Sequence, residues 1–164
     1  MSVLQRPTHY EATQAIRTVL KFIGENPDRD GLKETPERVV RSWVELFSGY
    51  KTDLAACFKT FEMIEPYDEI VVVKGIDFTS TCEHHMLPFT GVVHIGYLPN
   101  YKVLGLSKFA RIVEVFSRRL QIQERLTTEI TNAIETHLKP LGVGCIIEAK
   151  HSCMCNRGVK KQNA

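Results

Sequence analysis

The sequence predicts an α+β fold built as one domain, and three observations carry that expectation. Two stretches near the N-terminus repeat apolar residues at helical spacing. Two β-branched runs flank a short polar turn, and two further amphipathic segments precede a last strand-like run. The order is therefore helices, strands, helices, strand, with no internal repeat, linker or low-complexity stretch between them.

The first helix is read from Ala15, Ile16, Val19, Leu20 and Ile23, ending at Gly24 before the polar turn ENPDRDG. The second lies in KETPERVVRSWVELFSGY. Thr35 is its expected N-cap, Pro36 its first helical residue and Gly49 its stop, with Val39, Val40, Trp43, Val44 and Phe47 as the buried stripe. IVVVKGIDFT (70–79) and FTGVVHIGYL (89–98) read as adjacent strands or a hairpin on either side of CEHH. SKFARIVEVFSRRL, with Ser107 as N-cap, and QERLTTEITNAIETHL read as consecutive helices ended by Lys139-Pro140 and Gly142. GVGCIIEAKHSCM (142–154) reads as a final strand, on which residues 151, 153 and 155 share a face if the chain stays extended.

With 164 residues, 43% of them hydrophobic and 24% charged, the chain has the make-up of a soluble globular protein. It is long enough to bury a core without metals or disulfides, so a metal here would serve chemistry. The N-terminal MSVLQRPTHYEATQ has no apolar run of the signal-peptide kind, and no stretch of about 18 apolar residues suggests a membrane span. The expectation is a cytoplasmic protein with no membrane partner. Five cysteines in such a compartment favour free thiols or metal ligands over disulfides. Residues 1–70 hold nine Lys and Arg against twelve Asp and Glu, and residues 71–164 hold twelve against seven. That C-terminal excess is too small and dispersed for nucleic acid but suits a small phosphorylated metabolite.

The densest chemistry is in STCEHHMLPF, where a thiol, a carboxylate and two imidazoles occupy Cys82 to His85. Cys82 and His85 lie three apart in a turn, close enough to grip one ion. Zinc favours such donors, and a catalytic zinc takes three protein ligands with one position open. The distant HSCMCNRG offers His151, Cys153 or Cys155 as the third. Histidines left unligated, His84 and His151, could then handle protons. The rival is a structural zinc with four protein ligands, completed by Cys155, His84 or His151, which leaves no place for a substrate.

CEHH, GLSKFARIVEVFSRRLQIQERLT and HSCMCNRGV together resemble the GTP cyclohydrolase I family, in order and from about Glu34 to Lys161. The resemblance implies the tunnelling fold, in which antiparallel sheets from several subunits join into a barrel with helices outside. It divides the single domain into a helical part, 1–65, and a catalytic part, 66–164. It implies a homo-oligomer, typically a decamer, with active sites between subunits. By the same resemblance Cys82, His85 and Cys153 hold Zn2+, and His84 and His151 are the acid and base. Glu124 meets the guanine, whose N1 hydrogen and 2-amino group suit a two-oxygen acceptor, and Gln123 is a further substrate-binding residue. Ser107, Lys108, Arg111, Arg157 and Arg38 would meet the ribose and triphosphate.

The implied reaction is hydrolysis of GTP at guanine C8 with formate release, then an Amadori rearrangement and closure to 7,8-dihydroneopterin triphosphate, the first step towards pterins and tetrahydrofolate. Family members usually continue beyond RGV into a short Ser/Thr-rich strand, whereas this sequence stops at KKQNA. The alternative expectation is therefore a zinc-stabilised purine- or pterin-binding protein of the same fold with impaired turnover.

Overall fold

The structure is a computed structural model describing residues 6–63, 65 and 67–162. It divides into two compact units between Glu45 and Leu46. The first holds α1 (His9–Phe22) and most of α2 (Thr35–Leu46). α1 opens with a capping box: Glu11 N–H donates to the Thr8 hydroxyl and the Glu11 carboxylate accepts from Thr8 N–H. His9 on α1 lies 2.8 Å from Glu37 on α2. α2 begins one residue earlier than expected, on Thr35 itself, and ends at Leu46, before Gly49. Its apolar stripe is only partly covered. Leu20 and Val40 are buried, whereas Val19, Ile23 and Val44 are exposed, because two helices alone cover one flank of each other.

The second unit is mixed α+β. After two short 3-10 turns it runs β1 (Thr60–Glu62), β2 (Val71–Cys82), β3 (Pro88–Leu98), β4 (Lys102–Leu104), α3 (Leu106–Ser117), β5 (Leu120–Gln121), α4 (Gln123–Leu138), β6 (Gly142–His151) and α5 (Ser152–Cys155). The four-stranded sheet has the order β5-β2-β3-β6, and β1 pairs with β4 in a small second sheet. β2–β3 and β3–β6 are antiparallel; β5 adds a short parallel pairing of Cys82 with Gln121. Packed on one face, α3 and α4 bury Phe109, Ile112, Leu126, Ile130 and Ile134 against Phe89, Val93, Ile95 and Tyr97. This apolar layer is the dominant stabilising contribution.

Two backbone details decide where side chains point. At Lys74-Gly75 the β2–β3 register slips, with Val73 opposite Ile95 but Ile76 opposite Val93. Gly75 takes a φ of 69°, and its N–H donates to His94 Nδ1 at 3.3 Å. The extra residue reverses the parity of the strand. Val71 and Val73 face the core before it, and Ile76, Phe78 and Cys82 face the core after it. On β3, Gly91 is required by contact: a Cβ there would stand 1.9 Å from the Glu148 carbonyl oxygen.

Three expectations are corrected. Ser107 is the second residue of α3, whose N-cap is Gly105 and which has no side-chain cap, so Ser107 is left exposed. The final strand stops at His151, and Ser152 to Cys155 turn into a helix closed by Asn156 N–H to the Ser152 carbonyl. Strand alternation thus does not order Cys153 and Cys155; a helical turn does. β5 was not foreseen between the two helices.

Candidate functional site

The strand end and the helical turn bring three donors together. Cys82, the last residue of β2, His85, in the following turn, and Cys153, in α5, have ligand atoms all within 4.8 Å of one another. Cys82 Sγ is 3.6 Å from His85 Nδ1. Sulfur and nitrogen ligands of a tetrahedral zinc stand about 3.6 Å apart, from bond lengths near 2.3 and 2.0 Å. The Cys82–His85 pair therefore already has the spacing zinc requires, and Cys153 Sγ lies within 4.8 Å of both. Among the described residues no fourth His, Cys, Asp or Glu joins the group, which leaves out Cys155, His84 and His151. The arrangement is that of an open three-ligand site and opposes the structural four-ligand reading.

Burial pushes the Cys153 thiol up, and the neighbouring Cys82 thiol adds to this, while the charge of Arg157 pulls it down. A buried thiol pair resists double ionisation unless a cation occupies the space between, which is the electrostatic condition for a divalent metal. The chain from Cys82 through His85 is held as a turn. Met86 N–H donates to the Cys82 carbonyl at 2.8 Å and Cys82 N–H to the Leu87 carbonyl at 2.8 Å. Met86 carries the positive φ of 53° that the reversal needs.

The donors open on a cavity of about 530 Å³ whose lining includes His84, Gln123, Glu124 and His151. Glu124, in the first turn of α4, is exposed towards it. Half-buried His151 stacks flat on buried Phe89, with ring centroids 4.6 Å apart and planes 3° from parallel. Gln123 fixes the tautomer of that ring. Its Nε2 donates to the Ile147 carbonyl at 2.9 Å, which can only accept, so Oε1 faces His151 Nε2, 2.9 Å away. His151 then donates from Nε2 to that oxygen, which leaves Nδ1 as the ring position not engaged by Gln123. His84 is exposed, its Nε2 lying 3.8 Å from Glu83.

The cations read from the sequence are elsewhere. The cavity lining holds no Lys or Arg among the described residues. Lys108 donates from Nζ to the Ala56 carbonyl at 3.4 Å, and Arg111 borders a separate cavity of about 250 Å³ with Ala56 and Cys57. Arg157 is exposed, near enough to Cys153 to act on its thiol. Arg38 belongs to the first unit, ion-paired with Glu34. Sequence reasoning missed Phe89, Gln121 and Arg125. An aromatic just after the CEHH turn was the available sign for Phe89, and none marked the other two.

Three converging sulfur and nitrogen donors with an open side, imidazoles outside the donor group and an acceptor-rich wall are the parts of a hydrolytic metalloenzyme site on an α+β scaffold. The comparisons with known proteins agree. The profile of the family described as GTP cyclohydrolase I matches residues 12–164, and the chain belongs to that family. It is 51% identical over 162 residues to GTP cyclohydrolase 1 of Rickettsia prowazekii (strain Madrid E), covering 98% of this chain and 85% of the relative. It is 52% identical over 165 residues to GTP cyclohydrolase 1 of Bartonella henselae, covering 100% and 80%. A third relative of the same name, from Bartonella quintana (strain Toulouse), is 53% identical over 165 residues. No helix among the described residues is long and apolar enough to cross a membrane.

Proposed function

We propose that this chain hydrolyses GTP at guanine C8, releases formate and yields 7,8-dihydroneopterin triphosphate, with zinc held by Cys82, His85 and Cys153. The observation that carries this is the convergence of those donors beside a cavity walled by His84, His151, Gln123 and Glu124 in a member of this family. Zinc, when bound, supplies the Lewis acidity that makes a water nucleophilic near neutral pH.

The protein's own groups do the rest. Glu124 accepts from the N1 hydrogen and 2-amino group of guanine, which orients C8 relative to the donors. Gln123 and Phe89 hold His151 in one plane and one tautomer, so that Nδ1 takes a proton while Nε2 stays bonded. His84, exposed beside Glu83, is the second proton carrier. Glu124 and His84 are both exposed, which suits groups that meet an incoming substrate.

The triphosphate requires cations that this cavity wall lacks. We assign them to Lys108 and Arg111 of a neighbouring copy, where Ser107 adds a hydroxyl, with Arg157 and Arg38 as the further contacts. The active form is on this reading a cytoplasmic homo-oligomer, a decamer in the family pattern, with the whole chain acting as one catalytic domain. The outer edge of β6 has no partner strand among the described residues, which supports a sheet continued by a second copy into a tunnelling barrel.

The test is formate release from GTP by the purified protein, with metal content measured on the same sample. Formate lost on zinc removal and restored on zinc addition is the expected result. A folded, zinc-loaded protein that binds GTP and releases no formate would instead be a binding protein of this fold.

A further inference from the structure

We propose that Arg125 is a positioning residue that, through Glu83, locks the CEHH turn to the start of α4, so that the metal donors and the guanine-facing residues keep one fixed geometry. The inference deepens the reading of the site given above and rests on it.

The connections all converge on one side chain. The Arg125 guanidinium donates to the Glu83 carboxylate, to the Leu120 carbonyl at 2.9 Å and, from Nε, to Gln121 Oε1 at 2.9 Å. Glu83 lies between the donors Cys82 and His85, and its N–H donates to the Gln121 carbonyl at 3.0 Å. Gln121 is 1% exposed, and its Nε2 donates to the Phe116 carbonyl at 3.0 Å and to Glu129 at 2.7 Å. The anchor is therefore rigid, tied to the end of α3 and to the second turn of α4. From the same short stretch the chain passes into Gln123 and Glu124, which line the cavity.

Stability alone does not account for this arrangement. Arg125 and Glu83 are 39% and 31% exposed, and ion pairs at such surfaces add little to folding. A planar fork that reaches a carboxylate, a backbone carbonyl and an amide oxygen at once instead fixes position. The other Glu83 oxygen lies 3.8 Å from His84 Nε2, so the same carboxylate also restrains one of the proton carriers. The Glu83 carboxyl is held below its usual range by the Arg125 hydrogen bond, in keeping with a constant ion pair.

The experiment uses full-length, zinc-loaded protein and reads zinc transfer to a chromophoric chelator, kcat and KM for formate release, and the unfolding midpoint of the metal-free protein. Arg125→Met is expected to speed zinc loss and lower kcat by about tenfold or more each, the range for partners that orient metal ligands. KM should move less than about threefold, and the metal-free midpoint should fall only modestly as the buried Gln121 oxygen loses its partner. Arg125→Lys keeps the charge without the fork and should recover only a minor part. On zinc loss Glu83→Ala should match Arg125→Met and the double variant should be no worse than either, since both cut the Arg125–Glu83 connection, while the kcat of Glu83→Ala also carries the lost restraint on His84.

Unchanged zinc loss and kcat in Arg125→Met overturn the proposal. So does additive zinc loss in the double variant, and so does a loss matched by an equally lowered metal-free midpoint, which marks a purely structural role. Zinc transfer is read without turnover, so it tests the lock even if the parent releases no formate.

Discussion

Replacing Gly91 with alanine tests the link between sheet and site. The new Cβ would sit 1.9 Å from the Glu148 carbonyl oxygen and 2.7 Å from Ala149 Cα, both backbone atoms of β6 that no rotamer can move. Ordinary contact begins near 3.4 Å, so β6 must retreat by about 1.5 Å at this point. A ladder hydrogen bond near 2.9 Å stretched by that amount is broken. Two such bonds at about 1 kcal/mol each, added to about 1–3 kcal/mol for overpacking, give about 3–5 kcal/mol. The displaced strand also carries Ile147, which accepts from Gln123, and His151, which stacks on Phe89, so His151 should lose its fixed orientation. The assay is urea unfolding of the metal-free protein at fixed concentration, with formate release alongside. Gly96→Ala on the same strand is the control, because its Cβ meets only side-chain methyls at 3.6 and 4.0 Å. A Gly91→Ala protein within about 1 kcal/mol of the parent, at unchanged m-value and turnover, would refute the reasoning.

Other outcomes follow from the site. Cys153→Ala should leave two of three donors and so lose both zinc and formate release, measured by metal analysis and turnover; full activity without zinc would remove the metal assignment. Glu124→Gln should weaken GTP at least about tenfold with zinc retained, since an amide nitrogen would face the guanine donors. Unchanged GTP affinity by titration would place Glu124 outside the purine contact. Burial pushes the Cys145 thiol up to about 11, so alkylation by iodoacetamide should stay slow through neutral pH and rise only in strong alkali. Because the folded value lies above the unfolded one, this thiol favours the folded state below about pH 9, and that contribution falls away as pH climbs towards 11.

Much of the fold was legible because its signals are local. The periodicity of SKFARIVEVFS and ITNAIETHL and the β-branched runs around CEHH mark α3, α4, β2 and β3 within a few residues. What escaped depends on pairing. β5 is two residues long and exists because Gln121 meets Cys82 across the sheet, a contact that no local propensity encodes. The β2 bulge had a sign, the lone glycine in VVVKGI, but its effect on parity needs the register. Strict alternation from Val71 would have turned Cys82 away from the core. In the site, Cys82, His84, His85, Gln123, Glu124, His151 and Cys153 share one cavity, although the route to Cys153 is a helical turn. Lys108 and Arg111 do not line it, because α3 presents them beside Ala56 instead.

The donors also differ in where they come from along the chain. Cys82 closes β2 and Cys153 follows β6, about 70 residues later, with β3, both long helices and the last strand between them. An ion gripping both thiols is therefore a cross-link around most of the second unit, and closing a loop of that length restricts the unfolded chain by about 4 kcal/mol on the entropy model used for disulfides. Such a bond would both prepare the site for chemistry and act as a removable staple. Chelation should lower the temperature at which the whole unit melts, well beyond the few residues that touch the metal.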